Sequence, residues 1–285
     1  ITEPEYLLMK QYIEEHCGIH LDDGKEYLIE TRLSDLVIES GAASFQEFHL
    51  KARQDFSDKL RNRIIDAMTT NETLWFRDEN AWQYIREVAV PHLLDRAESE
   101  GRVRIWSAAC STGQEAYSLL MLLNDAAKGR GKPELIDKIE ILATDISSSA
   151  LFIAIAARYD SFSMNRGMPP DKKAKYFTQE GNVWVFDQEL KTRVKFKKFN
   201  LQDNFMSLGQ FDFIMCRYVT IYFSDEFKRE VFGKIAKVLK KGEVLLLGGI
   251  GRIRGDVPEF VRIGGEVVHL LGGVGAVIAD VFAFA

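Results

Sequence analysis

Two carboxylates and one guanidinium stand where an α/β protein would place ligand-binding chemistry. The apolar stretch Val103, Ile105, Trp106 runs into Ser107-Ala108-Ala109-Cys110-Ser111-Thr112-Gly113-Gln114-Glu115. Small residues between a strand and a helix let a ligand approach the backbone closely, and open α/β sheets bind ligands at the carboxyl ends of strands. A plain tight turn explains the loop equally well, since it holds one glycine and no GxGxxG. Asp145 closes a second apolar stretch, Ile139-Glu140-Ile141-Leu142-Ala143-Thr144. A carboxylate there can accept hydrogen bonds from both hydroxyls of a ribose. It can also cap the next helix, a role for which Ser147 competes. Loop and Asp145 together point to a nucleoside cofactor. A pyrophosphate needs close backbone approach at several positions and a methionine moiety does not, so the missing glycines favour S-adenosylmethionine over NAD. Glu115 opens the helix beside the same pocket. It can pair with an amino group, or simply suit the helix N-terminus. Thr69-Thr70-Asn71-Glu72-Thr73-Leu74-Trp75-Phe76-Arg77 is polar, then aromatic, then cationic. Arg77 can offer a fixed guanidinium fork to a carboxylate; the plainer reading is a linker whose aromatics pack on a sheet.

Positioning these groups requires two kinds of architecture. The first seventy residues read as helices only. Tyr6, Leu8, Met9, Tyr12, Ile13 and Cys17 keep helical spacing up to Gly18. Tyr27, Leu28, Leu33, Leu36 and Val37 do so up to Gly41. Ser44 with Glu47 makes a capping box for a third helix, and Phe56, Leu60, Ile64, Ile65 and Met68 form a fourth. After residue 100 strands alternate with helices: a strand at Val103, a helix from Gln114 to Leu123, a strand at 139–143, a helix with Leu151, Ile153 and Ile155. A strand at 211–216, a helix from Phe227 to Leu239 and a strand at 244–247 follow. That order implies a mostly parallel sheet with right-handed crossovers. Val183-Trp184-Val185-Phe186 and Val194-Lys195-Phe196-Lys197 read as an antiparallel insert, preceded by a loop at 165–170. The Gly-rich, then apolar stretch 272–285 has no assignment.

Composition closes off several classes. The 285 residues are 46% hydrophobic and 28% charged, so a sizeable core forms and global disorder is excluded. Thirty-seven Lys and Arg against 42 Asp and Glu give a net charge of −5, which argues against a dedicated nucleic-acid binder. Cys17, Cys110 and Cys216 lack metal or disulfide spacing and fit a reducing, cytoplasmic setting. No run of about 18 apolar residues appears, so no membrane insertion is expected. No secretory signal opens the chain, and Ile1 in place of Met points to a trimmed N-terminus.

With these residues in place, the chain resembles the chemotaxis receptor glutamate methyltransferases, the CheR family. Thr69-Thr70-Asn71-Glu72-Thr73 with Phe76-Arg77 is similar to that family's interdomain motif. Trp106-Ser107-Ala108-Ala109 through Gly113-Gln114-Glu115 to Tyr117-Ser118 is similar to its cofactor loop. Ala143-Thr144-Asp145-Ile146 looks like its ribose-binding strand end, and Phe211-Asp212 through Cys216-Arg217 with Ile221-Tyr222-Phe223 like its fourth signature. Order and spacing hold from about residue 5 to 250.

The resemblance implies an α/β fold: a Rossmann-like S-adenosylmethionine-dependent methyltransferase domain with a small antiparallel β insert, preceded by an all-α domain. Its segments would be 1–68 (helical, receptor recognition), 69–80 (linker), 81–285 (methyltransferase domain) and 165–198 (insert). It implies that Asn71, Thr73 and Arg77 contact the cofactor, Arg77 on its carboxylate. Ala108 would lie in the cofactor loop, Glu115 would take the amino group and Asp145 the ribose. Asn200 and Leu201 would lie near the adenine, together with Arg217 and Tyr218. Tyr222 and Arg77 would line the entry of the acceptor glutamate. Three positions depart from the pattern. Tyr218 stands where the family usually has Asn. Gly248-Gly249-Ile250-Gly251 replaces a Gly-His-Ser-Glu-like stretch. The insert's turn, at 177–182, is short, as in members that act without a receptor's C-terminal tether peptide.

The implied chemistry needs no general base. A glutamate is ionised at pH 7 and can attack a sulfonium methyl directly, giving a methyl ester. Catalysis then rests on alignment and partial desolvation, with Arg77 and Tyr222 orienting the nucleophile. His16, His20, His49 and His269 need no catalytic role. Lys25 and Arg32 are offset by Glu26, Glu30 and Asp35, whereas Lys51, Arg53, Lys59, Arg61 and Arg63 add positive character toward acidic receptor helices. A monomer is expected. The rival readings are a non-catalytic S-adenosylmethionine sensor, a nicotinamide dehydrogenase and a small-molecule methyltransferase. The absent GxGxxG argues against the second, and the helical domain and insert together against the third.

Overall fold

The computed structural model describes residues 1–248 and the backbone of Phe260–Ile263 and Glu266–His269. The stretches 249–251 and 272–285 singled out above, and the side chain of His269, lie outside the described residues.

The N-terminal domain is four helices: α1 (Glu3–Cys17), α2 (Glu26–Glu39), α3 (Phe45–Gln54) and α4 (Lys59–Met68). Tyr6, Met9, Tyr12, Ile13, Ile29, Leu33, Phe48 and Ile64 close its core. Gly18 ends α1 in the left-handed conformation (φ 72°). Ser44 caps α3 by accepting from Glu47 N–H, but the Glu47 carboxylate reaches back to Ala43 N–H, one residue beyond the Ser44 N–H of the expected box. Phe56 is not part of α4. It lies in the preceding turn, 99% exposed, because Asp55 accepts from Leu60 N–H and starts the helix later.

A helical run follows through α5 (Glu79–Tyr84), a π-helical turn (Ile85–Ala89) and α6 (Val90–Glu100). Next come β1 (Val103–Ala108), α7 (Gln114–Gly129), β2 (Ile139–Asp145), α8 (Ser148–Ala156), β3 (Arg158–Asp160), α9 (Ser161–Asn165) and α10 (Pro170–Tyr176). The remainder is β4 (Phe177–Glu180), β5 (Val183–Phe186), β6 (Val194–Lys198), β7 (Phe211–Arg217), α11 (Asp225–Val238), β8 (Leu239–Gly248) and the hairpin β9–β10 (Phe260–Ile263, Glu266–His269). The main sheet has the order β6-β2-β1-β7-β8, all parallel. Strands covered on both faces read as continuous apolar runs, and every residue of β7 is buried. Ile105, Ile141, Phe213 and Met215 face one core with α7; Trp106, Leu142, Ile214 and Cys216 face the other with Val231, Phe232 and Ile235 of α11.

Two expectations for the insert are corrected. Val194–Lys198 does not pair with Val183–Phe186; it is the parallel edge strand of the main sheet beside β2. The antiparallel partners of β5 are β3 and β4, so Phe177–Glu180 is a strand and the turn is only Gly181-Asn182. The small sheet therefore draws on 158–186 rather than 165–198. An alternating strand looks the same from sequence whether its neighbour is parallel or antiparallel, so spacing could not choose.

Candidate cofactor and methyl-transfer cleft

The strand order reverses at β1 and β7, and at such a switch point the loops leaving the carboxyl ends diverge and open a crevice. Here that crevice is lined by the loop after β1 (Ala109, Cys110, Ser111, Glu115), the end of β2 (Asp145, Ile146), the segment after β6 (Phe199, Asn200, Leu201) and the end of β7 (Arg217, Tyr218, Val219, Tyr222). The linker covers it with residues 69–74, Arg77 and Trp82, and the end of α1 supplies Cys17 and Ile19.

The linker is held extended by its neighbours. Ser111 Oγ donates to Asn71 O (2.9 Å), Trp75 N–H to Arg166 O (3.0 Å), and Ser118 Oγ accepts from Phe76 N–H (3.3 Å). Trp75 is fully buried against Tyr159 and Phe177, with ring centroids at 4.9 and 5.4 Å. The packing role read for the linker aromatics is thus real, and it fixes the polar residues before them over the cleft. Asn71 Nδ2 reaches Thr69 Oγ1 and Ser147 Oγ, both at 3.3 Å.

Asp145 is buried. Its two oxygens accept from Ser111 N–H (2.7 Å) and Ser147 N–H (2.9 Å), while Ser147 itself caps α8. Burial pushes the Asp145 carboxyl up from its ordinary value; the N–H groups of Ser147, Ser111 and Ile146 oppose that, and hydroxyl donors from a ribose would act in the same sense. Glu115 lies in the first turn of α7. It accepts from Ser107 Oγ (2.7 Å) and from Arg217 Nη1 (3.3 Å).

Arg217 is enclosed. Its Nη2 donates to Arg77 O (2.7 Å) and lies 3.5 Å from Asp78 Oδ2. Its Nε and the indole Nε1 of Trp82 are buried donors without a partner among the described residues. Both residues line the cleft, and a buried unpaired N–H costs about 1–3 kcal/mol unless something accepts it. Among the described residues Arg77 has one weak bond, to Glu72 O (3.3 Å), and its guanidinium lies 3.6 Å from the Tyr218 ring centroid. The cleft thus offers the Arg77 guanidinium at one end and carboxylates at Asp145 and Glu115. That set fits an adenosyl group carrying an amino acid. Among the described residues no group of three or more His, Cys, Asp and Glu side chains could hold a metal ion, and no helix is long and apolar enough to cross a membrane.

Asn71, Thr73, Arg77, Glu115, Asp145, Asn200, Leu201, Arg217, Tyr218 and Tyr222 are all brought to this one cleft. Ala108 is not. It is the last residue of β1, fully buried in the core on the α11 side, and Ala109 lines the cleft in its place (φ 59°). Arg217 and Tyr218 share the cleft with Asn200 and Leu201 and bond to Arg77, Asp78 and Glu115. Asn200 follows the edge strand β6, and Arg217 ends β7 on the other side of β1. Asn200 spends its amide on His16 O (2.8 Å), joining the two domains. Sequence reading did not single out Trp82, Ser111, Phe199, Cys17 or Ile19 as lining residues. The last two come from the other domain, and nothing in their local pattern signals it.

Comparison with known proteins agrees with this geometry. Residues 71–268 match the family model described as CheR methyltransferase, SAM binding domain, and residues 4–69 match CheR methyltransferase, all-alpha domain. The chain is 40% identical over 260 residues to chemotaxis protein methyltransferase 1 of Pseudomonas aeruginosa, covering 91% of this chain and 93% of that one. It is 37% identical over 275 residues to the chemotaxis protein methyltransferase of Vibrio parahaemolyticus, covering 95% and 98%. With that of Listeria innocua it shares 30% over 251 residues, covering 88% and 91%.

Proposed function

The chain belongs to the CheR methyltransferase family, and from that premise we propose that it esterifies glutamate side chains of chemoreceptors in the cytoplasm, using S-adenosylmethionine. The observation that carries this reading is the convergence of Arg77, Glu115, Asp145 and Arg217 on one cleft. Bound there, S-adenosylmethionine supplies an electrophilic sulfonium methyl group. Asp145, at the end of β2, takes the ribose hydroxyls. Glu115 takes the amino group, and the Arg77 guanidinium the carboxylate. Asn71 and Thr73 close the linker over the pocket, with Ala109 in the place expected for Ala108. Tyr222 and Arg77 border the entry, where they orient an acceptor carboxylate that is already ionised. Orientation must not become tight ground-state binding, which would add nothing to turnover. Trp82, Phe199 and Phe223 exclude water and strip the nucleophile of part of its hydration.

The basic residues of α3 and α4 would steer acidic receptor helices toward the cleft. Several are engaged in ion pairs, Lys51 with Glu47, Arg53 with Glu15 and Arg63 with Glu39, so steering is a modest effect. The tight Gly181-Asn182 turn supports action without a tether peptide.

The test is transfer of labelled methyl from S-adenosylmethionine to receptor-containing membranes. Base-labile label on the receptor is the expected result. Arg77→Ala should lower kcat/KM by about 30-fold or more, the loss of a charge-assisted pair worth about 2 kcal/mol or more. Cofactor binding without transfer to receptors would instead favour a sensor.

A further inference from the structure

We propose that Tyr218 is a positioning residue that presents the Arg77 guanidinium to the carboxylate of the cofactor. This rests on the S-adenosylmethionine reading above and adds to it how Arg77 is held.

A guanidinium can be fixed by an ion pair or by stacking, and the two differ in what they leave free. An acidic partner occupies the N–H edge. An aromatic face holds the plane through cation–π attraction and leaves that edge open. Arg77 is held in the second way. Its guanidinium carbon is 3.6 Å from the Tyr218 ring centroid, and among the described residues its hydrogen bond is the 3.3 Å contact to Glu72 O.

The ring is itself anchored. Tyr218 N–H donates to Gly248 O (2.7 Å) and its hydroxyl to Asp78 Oδ2 (3.3 Å). A Cβ at Gly248 would come within 3.1 Å of the ring, so glycine there leaves the room it needs. Tyr218 adopts φ 57°, an uncommon conformation for a bulky side chain. A second guanidinium, that of Arg217, lies 5.3 Å from the same ring. Both guanidiniums thus lie against one ring, but Arg217 is paired with Glu115 and Asp78, whereas the N–H edge of Arg77 faces the cleft.

The experiment compares dissociation constants of two ligands by calorimetry: S-adenosylmethionine and its decarboxylated form, which keeps the amine and the sulfonium. Tyr218→Asn removes the ring while suiting the positive φ, so it preserves the fold better than an aliphatic residue. It should weaken S-adenosylmethionine binding about ten-fold and change the decarboxylated ligand by less than about two-fold. Tyr218→Phe keeps the stack and should restore S-adenosylmethionine binding to within about two-fold of the parent. Equal loss for both ligands in Tyr218→Asn would make the ring merely structural and overturn the proposal, as would no loss for either. Failure of the parent protein to bind either ligand would instead overturn the cofactor reading, and this proposal with it.

Discussion

At the scale of single residues, the site depends on which side chains are ionised and which are not. Cys17 and Cys110 line the cleft, and Cys216 lies next to Arg217 at the end of β7. Burial pushes the Cys17 and Cys216 thiols up to about 12, and Cys110 well above its ordinary value, with Asp145 and Glu115 adding to the effect. A thiol at about 12 is thiolate in roughly one molecule in ten thousand at pH 8, and the thiolate is the reactive species. No cysteine is therefore suited to carry the methyl group as a covalent relay. The expected outcome of an Ellman titration at pH 8 is no fast-reacting thiol in the folded protein and all three after denaturation. One thiol reacting within seconds in the native state would contradict the packing around α1 or β7.

At the scale of elements, legibility from sequence followed periodicity. The parallel strands β1, β2 and β7 are readable because apolar runs end at small or charged residues, which locates Asp145 at the end of β2 and Glu115 in the first turn of the helix after β1. Spatial neighbours were not readable. Val194–Lys198 alternates as a hairpin strand would, yet it pairs beside β2. Nothing local encodes that β7 lies beside β1 while β6 occupies the edge. Ala108 and Ala109 differ by one position, and only the exact end of β1 decides which reaches the cleft. Gly18 shows the same limit. Its spacing marked a helix stop, but not that the stop abuts the other domain, where a Cβ would lie 2.2 Å from the Phe227 ring of α11. Gly24 has a similar φ (81°) with nothing near it. Gly24→Ala should cost only the left-handed penalty, about 1–2 kcal/mol in thermal unfolding. Gly18→Ala should cost distinctly more, and should also weaken cofactor binding by moving the end of α1. Equal losses for the two variants would mean that the domains do not press on each other at α11.

At the scale of the whole molecule, the two domains are joined at the cleft itself. The last turn of a helix leaves carbonyls without internal partners. At the end of α1 the other domain adds donors: Asn200 Nδ2 donates to His16 O (2.8 Å), and Gln202 Nε2 to Glu14 O (3.0 Å), which also accepts from Gly18 N–H. Just beyond, His20 N–H donates to Tyr222 O (2.8 Å), and Lys198 Nζ reaches Asn62 Oδ1 of α4 (2.7 Å). Cys17 and Ile19 then line the same cleft as Asp145 and Arg217. A ligand in that cleft touches both domains, so its binding energy must appear as stability of both. At a hundred times its dissociation constant, a ligand that binds only the folded state adds about 2.7 kcal/mol. S-adenosylhomocysteine should therefore slow amide exchange at residues 14–20 as well as in the linker at 69–78, and to a similar degree. The thermal transition should move upward as one step. Protection confined to residues beyond 81, with the end of α1 unchanged, would show that the helical domain docks independently of the cofactor and that receptor recognition is not coupled to cofactor occupancy.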